Sequence, residues 1–362
     1  SIKFNTEMAT LPVEQARAIF TQTVVAIYQE RIAVNSFLRS FFPTVESLGL
    51  AIQFEVQRGT ELMAVDVIRG HQGNYNAVSR STQKSFIPPY YREYIAATEL
   101  ELYNVTIGSA NEGGVVSSQL FAQLVDQIAS EVRLLVAMIE RRYEYQCAEV
   151  FQTGIVTLKN GDNIDYKRKS GSKVNFSGTA PWDNDANDPF AHFETGCTFI
   201  REEGKSQAGV FTAILGRKAL TALQNNEKYL KKGDNRNVFL TDMHEPQRNS
   251  TGASLHGQIS AGSNKINLWS YPEIYEEKNG VKRPYIDDTN VIIVPEVTNF
   301  KMAFGAVPQV IDGKETPTVK KGAFVFGDYI DRRKATHEFD VMSAGVAVPV
   351  AVDQIFTMKV LV

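Results

Sequence analysis

Cysteine is nearly absent from this chain: 362 residues contain only Cys147 and Cys197. Two thiols cannot make the framework of a disulfide-stapled secreted domain, and they suit a reducing compartment. Long hydrophobic runs are also missing. No apolar stretch approaches the ~18 residues of a membrane span, and the run from Gly345 to Val352 is among the longest. The opening Ser1-Ile2-Lys3-Phe4-Asn5-Thr6 lacks the apolar centre of a signal peptide. These absences predict a soluble chain made in a cytosol, with no membrane contact. Neither sign of charge dominates: 38 Lys+Arg stand against 41 Asp+Glu, a net −3. Gripping nucleic acid through its phosphates needs clustered positive charge, and the balance here offers none.

Catalytic signatures are absent in the same way. There is no GxxxxGK(S/T) phosphate loop, no GxGxxG dinucleotide turn and no GxSxG nucleophile elbow. His337-Glu338 has no second histidine four residues on, and the 5 histidines are scattered without zinc spacing. The reading is therefore no enzyme, with no catalytic residue, no cofactor and no metal. One pattern resembles a calcium loop: Asp183, Asp185 and Asn187 stand at its first, third and fifth positions and Glu194 at its twelfth. Its sixth position needs glycine for a sharp turn and holds Asp188, followed by Pro189. Asp188 as N-cap with proline at the first helical position is the better reading. Two short basic runs, Lys167-Arg168-Lys169 with Lys173 and Arg332-Arg333-Lys334, read as solvated faces.

What is present is ordinary in composition and unusual in order. Hydrophobic residues make up 43% and charged residues 22%, which is globular usage. A prior of roughly 150 residues per domain gives about two domains. Helical spacing of apolar residues runs from 12 to 42, where Phe37, Leu38, Phe41 and Phe42 crowd before Pro43. That cluster is either core or an apolar arm docking on another subunit. From Ala51 to Glu112 the pattern turns to period two, as in Ile52, Phe54 and Val56. Strands are expected at Leu62–Ile68 and Leu100–Ile107, around a polar turn from Arg69 to Asn76. A ribbon this long with little core is hard to stabilise alone and points to a partner.

The clearest element follows Gly113-Gly114. Val116, Leu120, Leu124, Ile128, Val132, Leu135, Ile139, Tyr143, Cys147 and Val150 recur every three or four residues, with charges mostly off that stripe. Ser117 or Ser118 can cap its start and Gly154 its end. The stripe drifts from a heptad, which predicts a helix lying across a sheet rather than a coiled coil. Beyond it come strands flanking Asn160-Gly161, a helix from Asp188-Pro189 to about Glu203, a strand at Ala208–Leu215 and a helix at Arg217–Leu230. Polar, loop-rich sequence fills Lys231–Lys265. Six strands then dominate to the end, the first at Ile266–Tyr271 and the last at Ile355–Val362. Strands and helices segregate along the chain, so the fold class is α+β.

That order of parts resembles the Hong Kong 97 capsid fold of tailed bacteriophages. Phe37-Leu38-Arg39-Ser40-Phe41-Phe42-Pro43 and Asn279-Gly280-Val281-Lys282-Arg283-Pro284-Tyr285-Ile286-Asp287-Asp288-Thr289 look like segments of the lambda-type major capsid protein family, capsid protein E. The Asp188-Pro189 helix start and the closing Glu338-Phe339 strand also fit. The resemblance covers the chain in order, with a longer region before Phe37 and a longer Gly114–Gly154 segment.

The resemblance implies an N-terminal arm at 1–50 and an extended hairpin loop at 51–112. It places a peripheral domain at 113–208, with its spine helix at 115–153, then an axial domain at 209–335 and return strands at 336–362. It implies a major capsid protein that self-assembles, as hexamers and pentamers, into the icosahedral shell of a double-stranded DNA phage. The virion would be its location and the host bacterial cytoplasm its site of assembly. Scaffold, portal and decoration proteins are implied partners, and the enclosed DNA would be met without sequence-specific contacts. A cellular nanocompartment shell shares the fold, and an α+β enzyme of another family is the reading from a different class. Candidate intersubunit contacts are Phe37, Phe41, Phe42, Phe54, Gly70, His71, Tyr75, Lys84 and Phe86. Lys84 is the only lysine between Ala51 and Glu112. Some shells of this fold crosslink through such a lysine, but the neighbouring Arg80, Gln83 and Ser85 form no apolar pocket to deprotonate it, so no crosslink is expected.

Overall fold

The computed structural model describes residues 36–49, 52–56, 82–98, 118–158, 163–233, 241–277, 279–309, 318–331 and 336–362. Two sheets and one long helix organise them. The helix, α1 (Ser118–Gln152), has 35 residues, a length of about 52 Å at 1.5 Å per residue. In its described part the expected stripe is the buried one: Ile128, Val132, Leu135, Ile139, Tyr143, Cys147 and Val150 all lie in the core. Gly154 ends it at φ +73°, its N–H donating to Val150 O at 3.0 Å and Glu149 O at 3.2 Å. This is the left-handed close that glycine adopts without strain.

The first sheet has five strands. Thr44–Glu46 runs parallel to Phe300–Phe304, which pairs antiparallel with the far half of the 14-residue strand Thr336–Pro349. The near half of that strand is flanked by Val325–Asp331 on one side and Tyr90–Thr98 on the other. Helix α1 lies across this sheet. Tyr143 Oη is 2.5 Å from Ser343 Oγ, and the Ala347 N–H donates to Gln146 Oε1 at 3.3 Å. The prediction of a helix laid over a sheet holds.

The second sheet has seven strands in the order Lys173–Asn175, Phe356–Lys359, Asn290–Pro295, Val210–Leu215, Asn264–Ser270, Ser254–Ala261 and Thr241–Arg248. Its central strands are buried on both faces, which explains their unbroken apolar runs. Phe211, Ala213, Leu215, Val291 and Ile293 join one core, while Ile214, Ile292 and Val294 join the core that contains α1. Helix α2 (Pro189–Glu202) covers the first of these faces. Asp188 caps it by accepting from Phe190 N–H at 3.0 Å. Gly196 lets it settle on the sheet: a Cβ there would stand 2.6 Å from Ile293 Cδ1 and 2.9 Å from Phe356 Cδ1. Among the described residues no helix is long and apolar enough to cross a membrane.

Several expectations need correction. The helix predicted up to residue 42 is, in its described part, a short 3-10 turn at Leu38–Phe41. The helix predicted at Arg217–Leu230 is two, α3 (Arg217–Asn225) and α4 (Glu227–Gly233). Asn226 divides them, because its side chain is used as a cap: Oδ1 accepts from Lys228 N–H at 3.1 Å and Tyr229 N–H at 3.3 Å. The polar stretch Lys231–Lys265 contains two strands, one of them the sheet edge Thr241–Arg248, where polar residues and a proline are tolerated. The divisions at 208/209 and 335/336 do not follow the sheets. Lys173–Asn175 and α2 belong with the seven-stranded sheet, as does the closing Phe356–Lys359, whereas Phe300–Phe304 and Val325–Asp331 belong with the five-stranded one.

Candidate assembly surfaces and the joints behind them

The extended region 51–112 separates into two parts. Ile52–Val56 and Thr82–Phe86 form an antiparallel ribbon in which Ile52 faces Phe86 and Phe54 faces Lys84 along the backbone register. Among the described residues this ribbon pairs with no other strand. Gly70, His71 and Tyr75 lie outside the described residues, as do the strands expected at Leu62–Ile68 and Leu100–Ile107. Tyr90–Thr98 corrects the loop boundary, for it is nine residues of the five-stranded sheet. Its Tyr91 and Ile95 face the core, and the Gln146 amide donates to Tyr91 Oη at 2.7 Å. Tyr90, Arg92 and Tyr94 face outward with Ile87 and the nearby Tyr329, and Tyr94 is 58% exposed. Arg92 anchors that face through Asp340, with Nε 2.7 Å from Oδ2. A Tyr-Tyr-Arg-Glu-Tyr-Ile sequence shows two faces but not which is inward, so this outward aromatic face was missed.

Phe37, Phe41 and Phe42 are corrected from intersubunit candidates to residues packed within the chain. Phe37 and Phe42 are buried and Phe41 is half-buried. Phe37 packs on Trp269 and Tyr271 at centroid distances of 5.3 and 5.6 Å, and Phe42 on Phe151 and Phe300 at 5.3 and 5.2 Å. Of the two readings open in the sequence, core packing is the one realised. What fixes the segment is Glu144, a charge within α1 that is fully buried. Its Oε1 accepts from Leu38 N–H at 2.7 Å and its Oε2 from Arg39 N–H at 2.8 Å. Burial pushes its pKa up to about 7, against the pull of those two amides and of the Tyr271 hydroxyl.

Arg168 was read as part of a solvated basic run and is instead buried. Its guanidinium donates to Phe151 O (2.8 Å) at the end of α1, Ser172 O (3.1 Å), Ile355 O (2.9 Å) and Thr357 Oγ1 (3.2 Å). One planar fork thus joins the helix terminus to the last strand of the seven-stranded sheet. Burial lowers its pKa to about 10, with Asp353 acting the other way. Gly154 leaves it room: a Cβ there would stand 2.3 Å from Arg168 Cδ. No composition signal distinguishes this arginine from its exposed lysine neighbours.

The calcium-like residues are used in local structure. Asp188 caps α2, and Asp185 Oδ1 accepts from Glu227 N–H at 3.1 Å. Among the described residues no group of three or more His, Cys, Asp or Glu is placed to hold a metal ion.

A long helix across one sheet, a second sheet buried on both faces and a self-paired ribbon define a class, the phage capsid fold of the Hong Kong 97 type. A protein assigned as the capsid protein of a prophage of E. coli CFT073 superposes with a TM-score of 0.62 at 15% identity, covering 94% of this chain and 98% of its own. A phage-related protein from Bordetella bronchiseptica RB50 gives 0.50 at 11% identity, over 94% and 96%. No curated protein matches the chain. The chain belongs to the phage major capsid protein E family, whose model matches residues 21–358. It is a structural protein of the phage head, and the virion is its location.

Proposed function

We propose that copies of this chain close, as hexamers and pentamers, into an icosahedral shell around the double-stranded DNA of a tailed phage, assembling in the cytoplasm of the bacterial host. The observation that carries this reading is the ribbon Ile52–Val56 with Thr82–Phe86, which pairs only with itself among the described residues. Such a ribbon leaves outer N–H and C=O groups that a neighbouring subunit can satisfy. Phe54, Gly70, His71, Tyr75, Lys84 and Phe86 are the contacts it would bring. Apolar burial at about 25 cal/mol per Å² drives association, and modest contacts become strong when each subunit makes several. Near-neutral net charge limits repulsion between crowded copies. In this reading α1 with the five-stranded sheet is the peripheral domain and the seven-stranded sheet the axial domain. Scaffold, portal and decoration proteins are its further partners. The nanocompartment alternative has less support, because the matching family model is that of a phage protein.

The test is to remove the ribbon itself by replacing residues 53–85 with a short Gly-Ser linker between the register partners Ile52 and Phe86. A folded subunit that no longer builds closed shells is the expected product. Closed shells with unchanged thermal stability would refute the role given to the ribbon.

A further inference from the structure

The buried Trp182 and His192 and the half-buried Phe176 form a joint that the shell-building role does not use. The Trp182 Nε1–H donates to His192 Nδ1 at 2.8 Å. An indole nitrogen donates only, so Nδ1 must be an acceptor, and His192 is neutral with its proton on Nε2. Its ring stacks on Phe176 at 3.9 Å and 6°, and lies nearly parallel to Trp182 at 6.4 Å and 13°, the edge-to-edge placement that the hydrogen bond requires. The loop 176–187 carries both aromatic partners, and α4 holds its 185–187 end, where Glu227 N–H donates to Asp185 Oδ1 at 3.1 Å and Lys228 Nζ to Ala186 O. Phe176 N–H donates to Lys359 O at 2.8 Å and Trp182 N–H to Val360 O at 3.1 Å. Asn226 Nδ2 reaches Trp182 O at 3.2 Å, which links the loop to the α3–α4 junction.

We propose that His192 is a proton-operated latch: neutral, it holds the 176–187 loop against α2 and the final strand through Trp182, and protonation frees that loop while both sheets stay folded. The chemistry is a conflict of donors. A protonated imidazole carries N–H on both nitrogens, so Nδ1 and Nε1 would face each other at 2.8 Å with two hydrogens and no acceptor. The charge acting on His192 is Asp188, at the start of its own helix, which favours the protonated form. That carboxylate is already engaged by Phe190 N–H and by Lys232 Nζ of α4, at 3.0 Å each. From the loop, the groups packed on the ring are the uncharged Phe176 and Trp182.

Burial, the larger influence, lowers the pKa of His192. The sign is consistent with the geometry. A histidine with a depressed folded-state value contributes stability above its ordinary value near 6.5, and that stability is lost as pH falls through the window below it.

Hydrogen exchange of the full chain, followed by mass spectrometry at pH 7.5 and 5.0 and corrected for intrinsic rates, tests this. Peptides spanning 176–187 are expected to lose protection at least fivefold at the lower pH, with a midpoint below 6.5. Peptides from residues 128–150 of α1 should keep theirs. His192→Asn places an amide oxygen where Nδ1 stands, accepting from Trp182 at every pH, so its 176–187 peptides should be flat between the two conditions. Unchanged protection in the wild type, an equal loss in His192→Asn, or simultaneous loss in α1 would each overturn the latch. Should His192→Asn not fold, the wild-type profile with α1 as internal reference decides the matter alone.

Discussion

Replacing Arg168 with methionine keeps most of the side chain's stem and removes its fork. Phe151 O would retain the Thr357 hydroxyl as donor, at 2.6 Å, but Ser172 O and Ile355 O would lose the guanidinium. A buried acceptor left without its donor costs about 1–3 kcal/mol, so the two carbonyls together cost about 2–6 kcal/mol. Relief from burying a cation offsets part of this, and the weakened compensation of Asp353 adds to it. The expected net loss is about 3 kcal/mol. Arg168→Lys should be nearly as harmful, since one ammonium cannot reach acceptors spread over α1, the Ser172 turn and the last strand. Urea unfolding of dissociated subunits, read by tryptophan fluorescence, measures the change. Thermal midpoints should drop by roughly 5 °C, given a few degrees or less per kcal/mol in a long chain. A loss below about 1 kcal/mol for both variants would mean that water replaces the fork, and that Arg168 does not join the helix to the sheet.

Other perturbations give equally definite outcomes. Val132→Asp buries a carboxyl on the α1 stripe at a cost of several kcal/mol and should give insoluble or unassembled protein, whereas Glu131→Lys on the exposed side should be tolerated. Glu144→Gln should flatten part of the pH profile. A carboxyl raised from 4.5 to about 7 loses stability as pH rises through that interval, by about 3 kcal/mol at about 1.4 kcal/mol per factor of ten. Stability of the wild type relative to Glu144→Gln should therefore fall between pH 4.5 and 7, and a constant difference would remove Glu144 as the titrating group. Gly196→Val should lift α2 from Ile293 and Phe356 and lower stability by about 1–3 kcal/mol in thermal unfolding. Mature shells should run as one band near the 40.3 kDa chain mass on denaturing electrophoresis. A ladder abolished by Lys84→Arg would show a covalent lattice instead.

What was legible in the sequence was whatever a repeating pattern marks. The α1 stripe from Ile128 to Val150, its Gly154 stop and the Asp188-Pro189 start all follow from local rules, and each stands where those rules put it. The arm at Ile52–Val56 followed from alternation, but its pairing with Thr82–Phe86, which sets Lys84 opposite Phe54 and not at the loop tip, did not. Single residues whose role is set by distant chain were not legible. Glu144 reads as an off-stripe charge until Leu38 and Arg39 are seen on it, and Arg168 reads as surface until its carbonyl partners at 172 and 355 close around it. Strand crossovers between the sheets were hidden for the same reason. Register partners such as Phe300 with Pro349 and Asn290 with Lys359 are pairings that composition does not encode. Edge strands such as Thr241–Arg248 carry so many polar residues that they resemble loops.

The central claim is that this chain builds a closed shell from many copies of itself. Negative-stain electron microscopy of the purified full-length protein, with its mass distribution measured in parallel, tests that claim most directly. Closed, uniform particles far heavier than the 40.3 kDa subunit are the predicted result. A discrete monomer or small oligomer that forms no particles across the conditions tested would contradict it.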